Sequence, residues 1–183
     1  MNCKIVKYDK DTIQYLPHDE QPFNIIGKLI LLYDGNEWIT KEELFEDCKE
    51  KTYPNDVYDP LVYIDNDDEV AFLAINNGEL VGSIRVCKRW NGNAFIDDLK
   101  VDRIYRNNGI GKMLIDAAVK WSKEKGLNGL SLETQAENLL ACRFYLKYGF
   151  EIGGIDTMVY TNPLYKRETA LYFYLPDELY HIL

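Results

Sequence analysis

Apolar and polar positions along this chain fall into two periods, and the change from one to the other marks its elements. Short apolar runs bounded by turn residues read as strands: FNIIGKLILLY (23–33), VAFLAI (70–75), ELVGSIRVCKRW (79–90), AFIDDLKV (94–101), GLSLETQ (129–135), FEIGGIDTMVY (150–160) and ETALYFYL (168–175). The turn sequences NNG and NGN join the runs between 70 and 101 into a three-strand meander. Helical spacing governs two other stretches. Ile110, Met113, Leu114, Ala117, Ala118 and Trp121 recur in steps of three and four, with Lys120, Lys123 and Lys125 crowding the end before Gly126. NLLACRFYLKYGF (138–150) reads as a second helix stopped at Gly149, and KEELFEDCKE (41–50) as a short amphipathic helix with Thr40 as N-cap. The order of elements predicts an α/β fold, a sheet flanked by helices.

Composition narrows this picture. At 183 residues and 46% hydrophobic content the chain is predicted to form one domain over 1–183, long enough for a single well-buried core. Its most apolar stretch, IIGKLILLY (25–33), is interrupted by Lys28 and too short to cross a bilayer, so the expectation is a cytosolic protein with no membrane partner. Cys3, Cys48, Cys87 and Cys142 show no CxxC spacing, and His18 and His181 sit near no ligand cluster; reduced thiols and no metal are expected. Of the formal charge of −9, residues 1–100 carry the whole excess, with 20 acidic and 11 basic side chains against 10 of each in 101–183. An acidic chain of pI near 4.8 argues against nucleic acid and is compatible with a cationic ligand. The run DNDDE (65–69) could attract such a ligand, although a solvated loop is the favoured reading.

Candidate chemistry concentrates in YRNNGIGKML (105–114), where a basic residue and two glycines open a helix directly after a strand. Spacing excludes a P-loop, because Gly111-Lys112 is followed by Met113 and has no glycine five residues before it. It also excludes the dinucleotide motif, whose third glycine is replaced by Leu114. What remains, Arg-x-x-Gly-x-Gly, still lets a pyrophosphate approach backbone N–H groups at a helix N-terminus, with Arg106 and Lys112 adding charge.

Together with Asn138, Tyr145 and the Gly149-Phe150 ending after GLSLETQ, this turn makes the chain resemble the GNAT superfamily of N-acetyltransferases over about residues 70–160. The run LETQAENLLACRFYLKYGFEIGGIDTMVY, with FIDDLKV and ALYFYL, is more closely similar to the streptothricin acetyltransferases, which acetylate an amine on the β-lysine portion of that antibiotic. The resemblance implies a mostly antiparallel mixed sheet flanked by helices, with residues 1–69 on the substrate side, 70–160 as the acetyl-CoA-binding core and 161–183 as closing strand and tail. It also implies that Arg106, Asn107, Asn108, Gly109, Ile110, Gly111 and Lys112 hold the pyrophosphate, that Leu99, Lys100 and Val101 lie along the pantetheine arm, and that Asn138 and Tyr145 complete the acetyl-CoA site. The implied partners are acetyl-CoA and a cationic small-molecule amine, with a homodimer left open.

The implied acyl transfer makes three demands. A backbone N–H at a splayed point of strand 97–101, at Leu99 or Val101, would meet the oxyanion. Tyr145 would protonate the departing thiolate. A lysine-like amine of pKa near 10.4 must lose its proton, a cost of about 4.6 kcal/mol at neutral pH, for which Asp97, Asp98 and Glu133 are the candidate carboxylates. Strand alternation gives Asp97 and Asp98 opposite faces, so at most one serves. Glu133, Asp97 and Asp156 are candidates for contact with the amine, and Cys142 is expected to pack rather than react. Tyr160, Tyr172 and Tyr174 are expected in the core or at a subunit contact. Two alternatives stand beside this reading: another cationic amine (polyamine, aminoglycoside or peptide lysine) as acceptor, and a non-catalytic acetyl-CoA sensor.

Overall fold

A computed structural model describes residues 2–161 and 168–176, in which the chain divides into two compact units. One comprises the residues up to Pro22 with Thr52–Leu130; the other comprises Phe23–Lys51 with the chain from Ser131 onward. Residues 162–167 and 177–183, including His181 and most of the expected closing tail, lie outside the described residues. Strands are numbered in chain order through both units.

In the first unit β1 (Cys3–Lys7), β4 (Glu69–Asn76), β5 (Glu79–Lys88) and β6 (Ala94–Val101) run in the order β1-β4-β5-β6, every pair antiparallel. The meander read from 70–101 is β4 to β6. The edge strand β1, only five residues with two lysines, carries too little apolar signal to be read from sequence. Helix α1 (Ile110–Glu124) packs on all four strands. Ile110, Leu114, Ala118 and Trp121 are buried as their spacing predicts, whereas Met113 and Ala117 are only half-buried and Ile115, Val119 and Ser122 complete the inner face. Gly82 allows the close approach: a Cβ there would stand 3.3 Å from both Ile110 and Leu114. Tyr8, Leu16, Tyr63, Ala71 and Leu73 form a further buried cluster in this unit. Burial of a leucine such as Leu73 contributes roughly 1.5–3 kcal/mol.

In the second unit β2 (Phe23–Tyr33) and β3 (Trp38–Lys51) form a two-stranded antiparallel sheet, and β7 (Gly129–Gln135, in this unit from Ser131), β8 (Glu151–Asp156) and β9 (Ala170–Pro176) run in the order β7-β9-β8. Helix α2 (Leu139–Tyr148) packs against β2. The structure corrects one predicted element: residues 41–50 are not a helix but part of β3, whose residues 38–44 and 49–51 pair with β2 on either side of a register shift. The segment favours helix by intrinsic propensity, at a few tenths of a kcal/mol per residue. A ladder of hydrogen bonds to the β-branched, aliphatic β2 outweighs that preference, and Thr40, the expected N-cap, is a paired strand residue.

Candidate active site

The glycine turn lies wholly in the first unit. Beyond β6, Arg103–Tyr105 forms one short 3-10 turn, after which Asn107 and Gly109 adopt left-handed backbone with φ of 61° and 81°. Gly109 caps α1 without a side chain, and the first bond of the helix is Met113 N–H to the Gly109 carbonyl at 3.0 Å. The N–H groups of Ile110, Gly111 and Lys112 therefore precede any intrahelical bond, at the positive end of a 15-residue helix. A Cβ built at Gly109 would meet nothing within 4 Å, so this end of the helix is open to a ligand, and the donor set fits an anion such as pyrophosphate. Asn108 braces the turn, donating to the carbonyls of Tyr105 at 3.2 Å and Arg106 at 2.9 Å. Arg106 donates Nε–H to the Val101 carbonyl at 2.9 Å and Nη1–H to the Pro22 carbonyl at 2.7 Å, and burial draws its guanidinium below the ordinary value. Lys112 holds both oxygens of Asp116 at 2.9 Å, one turn along the helix.

On β6 the ladder to β5 slips by one residue: Ile96 pairs with Val86 and Asp98 with Arg85, so Asp97 is the extra residue of a bulge. From Asp98 to Val101 the pairing is regular, with Leu99 opposite Ile84 and Val101 opposite Gly82. Asp97 faces Arg89 at 3.0 Å. Asp98 is buried among cations, 3.4 Å from Arg85 Nε and 3.4 Å from Lys100 Nζ; burial pushes its carboxyl above the usual carboxylate range, against the pull of Lys100 and Arg85. Burial works against the Arg85 charge, but Asp98, Tyr63 and Asp56 outweigh it and hold the guanidinium above its ordinary value. Arg85 also stacks on Tyr58, 4.0 Å from the ring centroid, and pairs with Asp56. The Lys100 side chain points into the same network, 2.7 Å from Glu20.

The remaining predicted residues lie in the second unit. Asn138 caps α2, its side chain accepting from Ala141 N–H at 3.3 Å, so a capping role accounts for it locally. Tyr145 is buried, 8% exposed, with Phe144, Phe150 and Phe173 around it at centroid distances of 5.3, 5.6 and 5.7 Å. Glu133, on β7, accepts a hydrogen bond from the Tyr160 hydroxyl. Burial pushes the Glu133 carboxyl up; Tyr160 opposes this, and the negative charges of Asp156 and Glu168 add to it. Asp156 ends β8 and accepts from Met158 N–H at 2.6 Å and Val159 N–H at 3.0 Å. The Cys142 thiol is pushed up to about 12 by burial, which suits packing and not nucleophilic attack.

Several partners escaped the sequence. His18, Glu20, Asp56 and Arg85 carry no local pattern, since each acts through residues 13 to 84 positions away. Tyr160 was legible only as one tyrosine among 14. The acidic run 65–69, by contrast, is occupied as a solvated loop would be: Asp65 pairs with Lys10, Asp67 with Lys125 and Asp68 with Lys88. Among the described residues, no group of three or more His, Cys, Asp or Glu side chains is arranged to hold a metal, and no helix is long and apolar enough to cross a membrane.

Comparison with known proteins bears on the whole chain. The family model described as acetyltransferase (GNAT) family matches residues 38–150. Streptothricin acetyltransferase A of Bacillus subtilis is 37% identical over 154 residues, covering 84% of this chain and 88% of its own. Streptothricin acetyltransferase of Escherichia coli is 40% identical over 110 residues, 60% of this chain and 63% of its own. Among solved structures, a Bacillus anthracis protein designated a streptothricin acetyltransferase, in complex with acetyl coenzyme A, superposes with a TM-score of 0.84 at 34% identity, covering 96% of this chain and 99% of the other.

Proposed function

This chain belongs to the acetyltransferase (GNAT) family, and we propose that it transfers an acetyl group from acetyl-CoA to a primary amine of streptothricin, on the β-lysine moiety, a reaction that confers resistance. One observation carries the choice of substrate: the likeness to a streptothricin enzyme runs over more of the chain than the family match, so it takes in more than the shared cofactor-binding core.

Acetyl-CoA supplies the activated acyl group as co-substrate. The turn from Arg106 to Lys112 offers its pyrophosphate the N-terminal N–H groups of α1, while Arg106 itself serves the turn through two backbone carbonyls. Glu133 is the better base. Asp98 is flanked by two buried cations that compete with any proton it could take. Glu133 faces one neutral donor and two further acidic residues, and its raised proton affinity brings it closer to a general base working near neutral pH. Asp156 adds negative charge beside it, which favours an ammonium-bearing acceptor. Tyr145 is the proton donor to the leaving thiolate. The reading places the protein in the cytoplasm, where acetyl-CoA is made and used, as a single N-acetyltransferase domain.

Mass spectrometry of streptothricin incubated with the protein and acetyl-CoA, beside thiol release with polyamines and aminoglycosides, tests it. A gain of one acetyl group on streptothricin is expected. Turnover confined to another amine would replace the substrate, and tight acetyl-CoA binding without turnover on any amine would favour the sensor.

A further inference from the structure

The segment His18–Pro22 is fastened to β5, β6 and the glycine turn by five contacts, two of them to the same ammonium. His18, 8% exposed, uses both ring nitrogens: Nδ1 lies 2.8 Å from Ser83 Oγ on β5 and Nε2 lies 2.9 Å from Asp102 Oδ1, immediately beyond β6. Its carbonyl accepts from Lys100 Nζ at 3.1 Å. Glu20 holds the same ammonium at 2.7 Å, and the Pro22 carbonyl accepts from Arg106 Nη1 at 2.7 Å. These partners are 65 to 84 residues away in sequence.

Lys100 explains why the arrangement is selective. An ammonium has three donors; here His18 O and Glu20 lie within hydrogen-bond distance, and Asp98 adds an opposite charge at 3.4 Å. A lysine buried this deeply is tolerable only when paired and hydrogen-bonded, so the position of 18–22 and that of the end of β6 determine one another. Arg106 repeats the logic one step further along. Its Nε grips Val101 on β6 and its Nη1 grips Pro22, which makes the arginine of the Arg-x-x-Gly-x-Gly motif a peg between the strand, the segment 18–22 and the turn. The turn contains two left-handed residues and no side-chain cap; Asn108 braces it from within, and what the contacts to 18–22 add is its placement against the end of β6.

We propose that residues 18–22 are a positioning strap for the pyrophosphate turn, with His18 and Glu20 as positioning residues that act through Asp102, Lys100 and Arg106. The strap sets the N–H groups at the start of α1 in a binding geometry before the ligand arrives, so that ordering the turn is not charged against CoA affinity. This deepens, and rests on, the acetyl-CoA reading given above.

The test uses the full chain with His18→Gln and Glu20→Gln, one for each side-chain anchor. Calorimetry with CoA measures binding apart from turnover. Kinetics are compared for acetyl-CoA and for S-acetylpantetheine, a thioester without pyrophosphate. The expected result is CoA binding weakened about tenfold, with KM for acetyl-CoA raised in parallel and kcat at saturation within about twofold of wild type. Turnover of S-acetylpantetheine should be unchanged. CoA affinity equal to wild type in either folded variant would overturn the proposal, as would an equal loss with both thioesters, the mark of general structural damage. Failure of the wild-type chain to bind CoA would overturn the acetyl-CoA reading itself, and the strap with it.

Discussion

Gly27 lies so close to Glu43 that a Cβ on it would stand well inside van der Waals contact distance of the Glu43 carbonyl oxygen; Leu44 Cα at 3.0 Å and Leu139 at 3.1 Å close the other sides. This is where the β2–β3 register shifts, Ile25 facing Lys49 and Gly27 facing Leu44 so that the extra residues lie on β3, and where α2 packs against β2. Gly27→Ala must push backbone apart and is expected to destabilise by about 1–3 kcal/mol. Urea unfolding measures it; an unchanged midpoint would mean that the hairpin can shift at no cost.

Gly109 presents the opposite case. A Cβ there touches nothing, so Gly109→Ala strains only the backbone, whose φ of 81° disfavours a side chain by about 1 kcal/mol. The turn relieves that strain by changing shape. A small loss of stability should accompany a clear rise in KM for acetyl-CoA, read from a thermal melt and initial rates on one preparation.

Tyr145→Phe keeps the ring among Phe144, Phe150 and Phe173 and deletes the hydroxyl. If that hydroxyl protonates the leaving thiolate, kcat falls by about 10²-fold or more while CoA affinity holds. Turnover intact in this variant would reduce Tyr145 to a packing residue.

Glu133 gives a pH signature. A base works ionised, and because its carboxyl is raised by burial, activity should fall with decreasing pH in a limb above the ordinary glutamate value of about 4.3. Glu133→Gln should lower kcat and abolish that limb. Linkage has the opposite sign for stability: a raised carboxyl favours the fold when protonated, and that contribution is lost as pH rises through its pKa in the folded protein. Near pH 7 the Gln variant should therefore melt no lower than wild type. A limb that survives the substitution would assign the base elsewhere.

The acidic run should prove inert. With Asp65, Asp67 and Asp68 each engaged with a surface lysine, the triple Asn variant is expected to leave KM for the amine unchanged at physiological salt. A marked rise would make this loop a collection surface for cations.

Much of the fold was legible because its signals are local. The period of α1, the turns at 76–78 and 91–93, and the glycine stop of α2 at Gly149, whose φ is 117°, all depend on residues within one or two turns of each other. The glycine turn that opens α1 could be located for the same reason. Residues 41–50 misled because their helical preference is a property of the segment, whereas their strand is a property of its pairing with β2.

The sequence by itself determined most of the order of strands and helices, the glycine turn that opens α1 and the family to which the chain belongs, since those are written in local spacing. Only the tertiary structure decided that Asp97 is the bulged residue, that Asp98 is enclosed by Arg85 and Lys100, and that His18 and Glu20 fasten the end of β6. A buried charge is set by whichever partners the fold brings to it, and chain positions 80 residues apart leave no trace of one another in a local pattern.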